Sequence, residues 1–450
     1  MRVCIQSLGC PKNLVDSEVI SGSLLKQNYT ITNDIDNCDI AVINTCSFIQ
    51  PAVEESIEAI LEAAELKKEG RIKHVVVAGC LSQRYSEKEL KESLPEVDGF
   101  IGIDEIAKIP EIMEQVLRRE GPFRVNRKPC FLYDENSPRF LFTPNHYAYL
   151  KIAEGCNNAC AYCLIPRIKG TYRSRTIESV FAEAQNLITS YPLKEIILIA
   201  EDTTYYGRDL YGEPALANLL QKLTQLKWSS ENRIRILYTH PAHYNDALID
   251  FLAENKQICP YLDLPLQHIS NSMLKRMNRK IGQKDIITLI EKLRDKIPEL
   301  TLRTTFIVGF PGETEQDFEE LCRFVENYQF EKVGVFTYYN EPDCTAGKFD
   351  EQVTEKVKKM RLDTLMKIQQ KIALHKQKTK IGKVLKVLVD GVSDKGKDIL
   401  IGRSCAEAPE IDGEILVFKG QEKDIGNWVN IKITEAFPYH LEGEILADKN

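Results

Sequence analysis

The sequence predicts an α/β protein in three parts: an N-terminal open parallel α/β domain, a central incomplete (β/α)6 barrel, and a C-terminal small antiparallel β-barrel. Three observations predict it. Short apolar runs alternate with helical stretches up to about residue 135, six further strand-then-helix units follow from Tyr147, and beyond Lys380 the pattern turns to short strands between Gly and Asp turns. A length of 450 residues accommodates three such domains at roughly 150 residues each.

In the first part, placed at 1–135, the runs VCIQSL, DIAVIN and HVVVAG read as parallel strands, with helices expected around residues 16–27 and 51–68. Residues 118–144 carry charge and proline without periodicity and mark a boundary. In the second part, at 140–375, the strand candidates are YAYLKI, EIILIA, RIRILY, YLDLPL, TLRTTFIVG and KVGVFTY. A lysine-rich helix at about 354–380 is expected to pack through Met360, Leu365, Ile368 and Ile372 beneath a solvated face. In the third part, at 378–447, KVLKVLVDGV, DILIGRS, GEILVF, WVNIKITEA and LEGEILA form five strands of a small barrel.

With 43% hydrophobic and 28% charged residues, the chain is neither disordered nor fibrous. There is no leader-like start and no apolar run near the ~18–20 residues that span a bilayer, so a cytoplasmic location with no membrane partner is expected. A net charge of −7 argues against wholesale wrapping of nucleic acid, and no DNA partner is expected. Thirteen cysteines, an odd count, read as metal ligands plus buried thiols in a reducing compartment.

The most informative segment is KIAEGCNNACAYCLIP, where Cys156, Cys160 and Cys163 follow the first barrel strand as CxxxCxxC. Three thiolates on one loop can hold three corners of a 4Fe-4S cubane and leave the fourth iron open. A structural zinc site is the alternative, but it needs a fourth ligand, and no other Cys or His lies near in sequence. With Tyr162 just before the last cysteine, the segment resembles the signature of the radical S-adenosylmethionine (SAM) enzymes. The resemblance implies that the open iron chelates the cofactor and that its reductive cleavage yields a radical able to abstract hydrogen.

The turn GFPGET at 309–314 ends a strand and opens a helix, with Thr314 and Asp317 patterned as a capping box. The resemblance implies that Tyr162, Gly309, Pro311, Gly312 and Glu313 line the SAM pocket.

Cys10, Cys46 and Cys80 each sit just past the end of a parallel strand, where loops of an open sheet converge. The residues alone leave coincidence and a second metal cluster both open. The strings SLGCPKNLVDSE, NTCSF and AGCLSQRY resemble the methylthiotransferases, a family covering the whole chain and ending in a TRAM β-barrel. That resemblance implies an auxiliary 4Fe-4S cluster on Cys10, Cys46 and Cys80, SAM serving both as methyl donor and radical source, and outside donors of sulfur and of electrons such as flavodoxin or ferredoxin. The other seven cysteines read as structural.

The family modifies either transfer-RNA adenosine or an aspartate of ribosomal small-subunit protein S-twelve. Residues 381–450 hold nine Lys/Arg against thirteen Asp/Glu, which favours a basic protein over RNA. The strings SLGCPKNLVDSE, APEIDGE and NEPD resemble the ribosomal-protein branch. An iron–sulfur carrier is the non-enzymatic alternative. Lys169 stands for a usual arginine, Glu201 for a glutamine and Asp343-Cys344 for Gly-Thr; these departures are expected to touch no iron ligand, and the lysine, which keeps charge without the bidentate fork, to tune activity and not abolish it. His240, His243 and His268 read as structural, Tyr205 and Tyr206 as stacking or packing, and Asp202 as a candidate for a ribose hydroxyl.

Overall fold

The computed structural model describes residues 1–396 and 398–446; residue 447, the last expected for the third part, lies outside them. Strands β1 (Arg2–Ser7), β2 (Thr30–Thr32), β3 (Ile40–Thr45), β4 (His74–Gly79), β5 (Gly99–Ile101) and β6 (Phe123–Arg124) form one parallel sheet in the order β2-β1-β3-β4-β5-β6. Along β3 the side chains alternate between two cores. Ile40 and Val42 join Val19, Ile20 and Leu24 of helix Pro11–Lys26, while Ala41 and Ile43 join Val53, Ile60 and Ala63 of helix Gln50–Lys68.

The first helix begins at Pro11, five residues before the expected position. Cys10 is extended and Pro11 supplies the preset φ of a first helical residue. Its early turns bury Lys12, Asn13, Asp16, Ser17 and Glu18, so the buried face is polar and leaves no apolar period to read.

Strand β7 (Tyr147–Lys151) opens the second sheet, and the short strands β8 (Ala153–Glu154) and β9 (Arg173–Ser174) pair across the loop that follows it. With β10 (Glu195–Ile199), β11 (Arg233–Ile236), β12 (Ile258–Asp263), β13 (Thr301–Val308) and β14 (Lys332–Thr337) the order is β14-β13-β12-β11-β10-β7, all parallel and unclosed. Ala148, Leu150, Ile196 and Leu198 pack outward on the helices; Tyr147, Tyr149, Ile197 and Ile199 face a separate core filled by Val15 of the first helix and Ala408 of the third part. The open barrel is thus plugged by its neighbours on both sides.

The third unit is a closed barrel of β15 (Val384–Val392), β16 (Leu400–Arg403), β17 (Ile415–Phe418), β18 (Trp428–Ala436) and β19 (Leu441–Ile445). Its pairs are antiparallel except β17 with β19, which are parallel because β18 crosses to β15 and β19 returns between them.

In helix Glu355–Lys378 the buried line is Lys358, Arg361, Leu365, Gln369, Ala373 and Gln377, whereas Met360 is exposed. Met360 therefore belongs to the solvated face, correcting the expectation, because aliphatic stems of the basic residues cover the barrel instead. Among the cysteines read as structural, Cys130 is exposed, and Cys259 and Cys405 share one core between the open barrel and the third unit. No helix among the described residues is long and apolar enough to cross a membrane.

Candidate metal centres

The three loops that carry Cys10, Cys46 and Cys80 are tied together by side chains of β3 and the first helix. Asn13 Nδ2 donates to Leu8 O at 3.0 Å and Thr45 O at 2.8 Å; Asn44 Nδ2 donates to Asn13 O and Ser17 Oγ, both at 2.9 Å. Thr45 Oγ1 donates to Ala78 O at 2.6 Å and accepts from the Leu81 N–H at 3.2 Å. Ser56 clamps Cys46, its Oγ accepting from the Cys46 N–H at 3.1 Å and donating to its carbonyl at 2.8 Å. Two glycines make the convergence possible. Gly9 (φ +87°) passes so near Cys46 that a Cβ would stand 3.0 Å from its Sγ, and Gly79 (φ +93°) would meet Asn44 Oδ1 at 2.4 Å.

Burial pushes the Cys46 and Cys80 thiols up; Cys10 lies near enough to add to both shifts, while Lys169 opposes them. Cys80 packs with Leu164 and Ile168, which follow Cys163, and with Cys344. Cys344 therefore does meet a proposed ligand, and Lys169 acts on two, against the expectation that these departures touch none; contacts across domains leave no trace in spacing.

The second group sits on the loop between β8 and helix Ile165–Lys169. The Asn158 N–H donates to Cys156 Sγ and the Ile165 N–H to Cys163 Sγ, each at 3.4 Å. Burial pushes Cys156 up to about 12 and Cys163 well above the ordinary thiol value, with Cys160 a contributor to both. Arg279, almost fully buried, donates from Nη1 to Cys160 Sγ at 3.5 Å and to the Tyr162 hydroxyl at 3.3 Å, and from Nη2 to Pro265 O at 2.5 Å. It forms no ion pair with a carboxylate among the described residues; Tyr162, Cys160 and, at longer range, Asp202 stabilise its charge.

A ligand set of three thiols, backbone N–H groups aimed at sulfur and one buried guanidinium fits an anionic thiolate-bound cluster. Among the described residues, neither cysteine group has donor atoms converging closely enough to hold a single metal ion, as a zinc tetrahedron requires. Glu201 lies near Cys156 and Cys163, Lys169 lies near Cys46 and Cys80, and these two charged residues also feel each other. The two cysteine groups thus face one buried region between the sheets.

Tyr162 shares a hydrophobic cluster with Phe310 of the GFPGET turn, so the structure joins those two elements. The turn's polar groups are engaged internally. Glu313 is buried, its carboxylate accepting from the Gly309 N–H and from His268 at 3.3 Å and pairing with Arg361 at 3.1 Å, its carbonyl accepting from Arg361 at 3.0 Å, while Lys358 lies against Gly309 and Arg276 against Gly312 and Pro311. The expected capping box of Thr314 and Asp317 is present.

Asp202 accepts from Asn158 at 2.7 Å and Thr204 at 2.7 Å, and pairs with His243 Nδ1 at 2.7 Å. Burial raises its pKa, but the His243 contact outweighs it and holds the carboxyl at about 2. Its oxygens are spent within the protein, which argues against the expected ribose contact. His240 stacks on His243 and is pulled down to about 2 by burial and Arg279; its buried Nε2 has no partner among the described residues. Tyr205 stacks edge-on with Tyr172 and His243, whereas Tyr206 packs in the core.

Arg279, Lys12, Glu201 and Tyr238 were not singled out as site residues by sequence. Only the Glu201 departure from glutamine was a signal.

Three family descriptions match: "Radical SAM superfamily" over residues 150–325, "Uncharacterized protein family UPF0004" over 2–102 and "TRAM domain" over 381–446. Ribosomal protein uS12 methylthiotransferase RimO of Desulforamulus reducens is 47% identical over 98% of both chains; that of Geobacter sulfurreducens is 45% identical over 99% of both. Among solved structures, the radical SAM methyltransferase TsrM from Kitasatospora setae shares the fold, with a TM-score of 0.54 at 13% identity over 77% of this chain and 76% of its own.

Proposed function

Since this chain belongs to the ribosomal protein uS12 methylthiotransferases, we propose that it replaces a hydrogen on an aspartate side chain of uS12 with a methylthio group. It is a radical SAM transferase whose cofactors are SAM and two 4Fe-4S clusters. The observation that carries the reading is the approach of the two three-cysteine groups: Cys80 packs on Leu164 and Ile168, which follow Cys163, and Lys12, two residues past Cys10, stands 3.5 Å from Glu201. One group without the other would suit a cofactor-cleaving enzyme that transfers no sulfur.

Cys156, Cys160 and Cys163 hold the SAM cluster, and Cys10, Cys46 and Cys80 the auxiliary one. When bound, these groups supply one-electron cleavage of SAM, the source of a hydrogen-abstracting radical, and a sulfur that accepts a methyl group. The protein's part is placement. Arg279 fixes Cys160 and Tyr162 together, and Tyr162 with the backbone of Gly309, Pro311 and Gly312 walls the SAM pocket, Glu313 bracing that turn. The core around Phe310, Met273 and Met277 keeps water from the radical centre.

The three parts at 1–135, 140–375 and 378–447 divide this labour as auxiliary-cluster, radical and TRAM domains. A flavodoxin or ferredoxin supplies electrons and a separate donor the sulfur, in the cytoplasm. Paired mass analysis of uS12 and of digested transfer RNA, from cells with and without the gene, tests the reading. Loss of a methylthio increment from uS12 alone is expected; loss from the RNA alone would overturn it.

A further inference from the structure

Lys12 lies two residues past Cys10, in the first turn of helix Pro11–Lys26, and is only 7% exposed. Its Nζ stands 3.5 Å from Glu201 Oε2 and 3.5 Å above the centroid of the Tyr238 ring. Glu201 follows β10 and Tyr238 follows β11, so one sheet delivers the ammonium and the other receives it.

The other buried cations of this region are engaged. Lys151 pairs with Asp16 and Glu154, Lys169 stands 3.4 Å from Asp16 and 3.9 Å from Glu154, and Arg279 serves Cys160, Tyr162 and Pro265. Lys12 has only Glu201 as an ion-pair partner among the described residues, at a separation long for a charge-assisted hydrogen bond. Glu201 is equally unfinished: its buried Oε1 has no hydrogen-bond partner among the described residues. The contact is loose enough to exchange.

Tyr238 is held in the left-handed region (φ +59°), its N–H bound to Asp263 Oδ2 at 3.0 Å and its carbonyl accepting from the Thr203 N–H at 2.9 Å. The ring is thereby fixed under the ammonium, which it orients without neutralising.

We propose that Lys12 is the receptor for the side-chain carboxylate of the substrate aspartate, and that Glu201 occupies the carboxylate's place until substrate arrives. The inference rests on the functional reading above. On that reading the reacting carbon is bonded to the carboxylate carbon, so a cation holding it must lie between the two cysteine groups. Lys12 meets that requirement, and a compact ammonium with three donors can pass from one carboxylate to another. Because Glu201 competes with substrate, its removal should strengthen binding.

The test uses the full-length enzyme reconstituted with both clusters, its iron content and visible absorption checked for each variant. Binding is measured for a uS12 peptide spanning the modified aspartate and for the same peptide with asparagine there. The wild type is expected to prefer the aspartate peptide at least ~10-fold, and Lys12→Gln to lose that preference. Glu201→Gln should bind the aspartate peptide several-fold more tightly while its affinity for the asparagine peptide stays put. The double variant Lys12→Gln with Glu201→Gln leaves neither charge unpaired, which guards against misfolding, and it too should show no preference. Persistence of the preference in the double variant would overturn the proposal alone, as would a wild type that modifies the aspartate peptide without preferring it. A wild type that never adds the methylthio group to the aspartate peptide would overturn the functional reading and this proposal with it.

Discussion

Arg84 and Glu341 meet at 2.6 Å with side chains only 6% and 4% exposed, joining the helix that begins at Cys80 to the turn after β14. Asp343 adds contacts to Arg84 at 3.7 Å and Arg167 at 2.6 Å. The acidic NEPD turn, which in sequence resembles the ribosomal-protein branch, therefore works inside the molecule as an interdomain clamp. Arg84→Met strands a buried carboxylate and is expected to cost about 3–5 kcal/mol. Thermal unfolding followed with iron content checks this; adding Glu341→Leu should recover most of the loss, because the second change removes the stranded charge.

Arg279 is expected to set the electron affinity of the cluster on Cys156, Cys160 and Cys163. Its guanidinium donates to Cys160 Sγ from a buried position and makes no close ion pair with a carboxylate among the described residues, Asp202 acting only at longer range. Hydrogen bonds and positive charge near cluster sulfur favour the reduced form. Arg279→Met should lower the reduction potential by on the order of 60 mV, which for one electron is a tenfold change in equilibrium. Arg279→Lys should fall between, keeping the charge without the fork. Potentiometric titration followed by electron paramagnetic resonance reads the shift; an unmoved potential would reduce Arg279 to a packing role.

Much of this architecture is legible in sequence, for identifiable reasons. Cys10, Cys46 and Cys80 each follow an apolar run, and parallel strands bring such ends to one edge, but that placement alone leaves coincidence open and only the surrounding strings single them out. Cys156, Cys160 and Cys163 are legible because their spacing is local. Lys12, Glu201, Tyr238 and Arg279 are not, since each is a single residue whose meaning depends on a partner from a remote segment. The start of the first helix is hidden for a related reason: its inward face carries Lys12, Asn13, Asp16 and Glu18, whose burial depends on partners such as Lys151, Arg139 and Glu201. Charge counting points to the branch the relatives show, yet the count is not all surface: Glu407 pairs with Lys332 and Asp412 bonds to Tyr261, both on the open barrel, so part of the acidic excess of the third unit is spent inside the molecule.

Glu407 ties the third unit to the open barrel, 3.4 Å from Lys332 and 3.9 Å from Lys380, and accepts from Ser404 Oγ at 2.5 Å. Burial raises its pKa, but Lys332 and Lys380 outweigh that and hold it at about 2. A carboxyl depressed in the folded state adds stability that is complete above its unfolded value and lost as pH falls through the folded one. The loss is therefore expected between about pH 4.5 and about pH 2, and amounts to on the order of 3 kcal/mol. Glu407→Gln should be less stable at neutral pH yet show a flatter acid limb. Urea unfolding at stepped pH, followed by the fluorescence of Trp228 and Trp428, measures both.

The two cysteine groups make separable demands. Cys156→Ala removes a ligand from the loop where SAM is held, so it is expected to abolish release of 5′-deoxyadenosine and, with it, all product. Cys46→Ala leaves that loop intact, since Cys46 is held by Ser56 of helix Gln50–Lys68 in the first domain. It should retain cofactor cleavage on addition of a reductant while transferring no sulfur, with roughly half the iron of the wild type, as one 4Fe-4S site of two is lost. Chromatography of 5′-deoxyadenosine, mass analysis of the uS12 peptide and an iron assay on the same samples separate these outcomes. Sulfur transfer surviving in Cys46→Ala would show that Cys10, Cys46 and Cys80 hold no auxiliary cluster, whereas loss of cleavage in both variants would mean that the two centres cannot assemble independently.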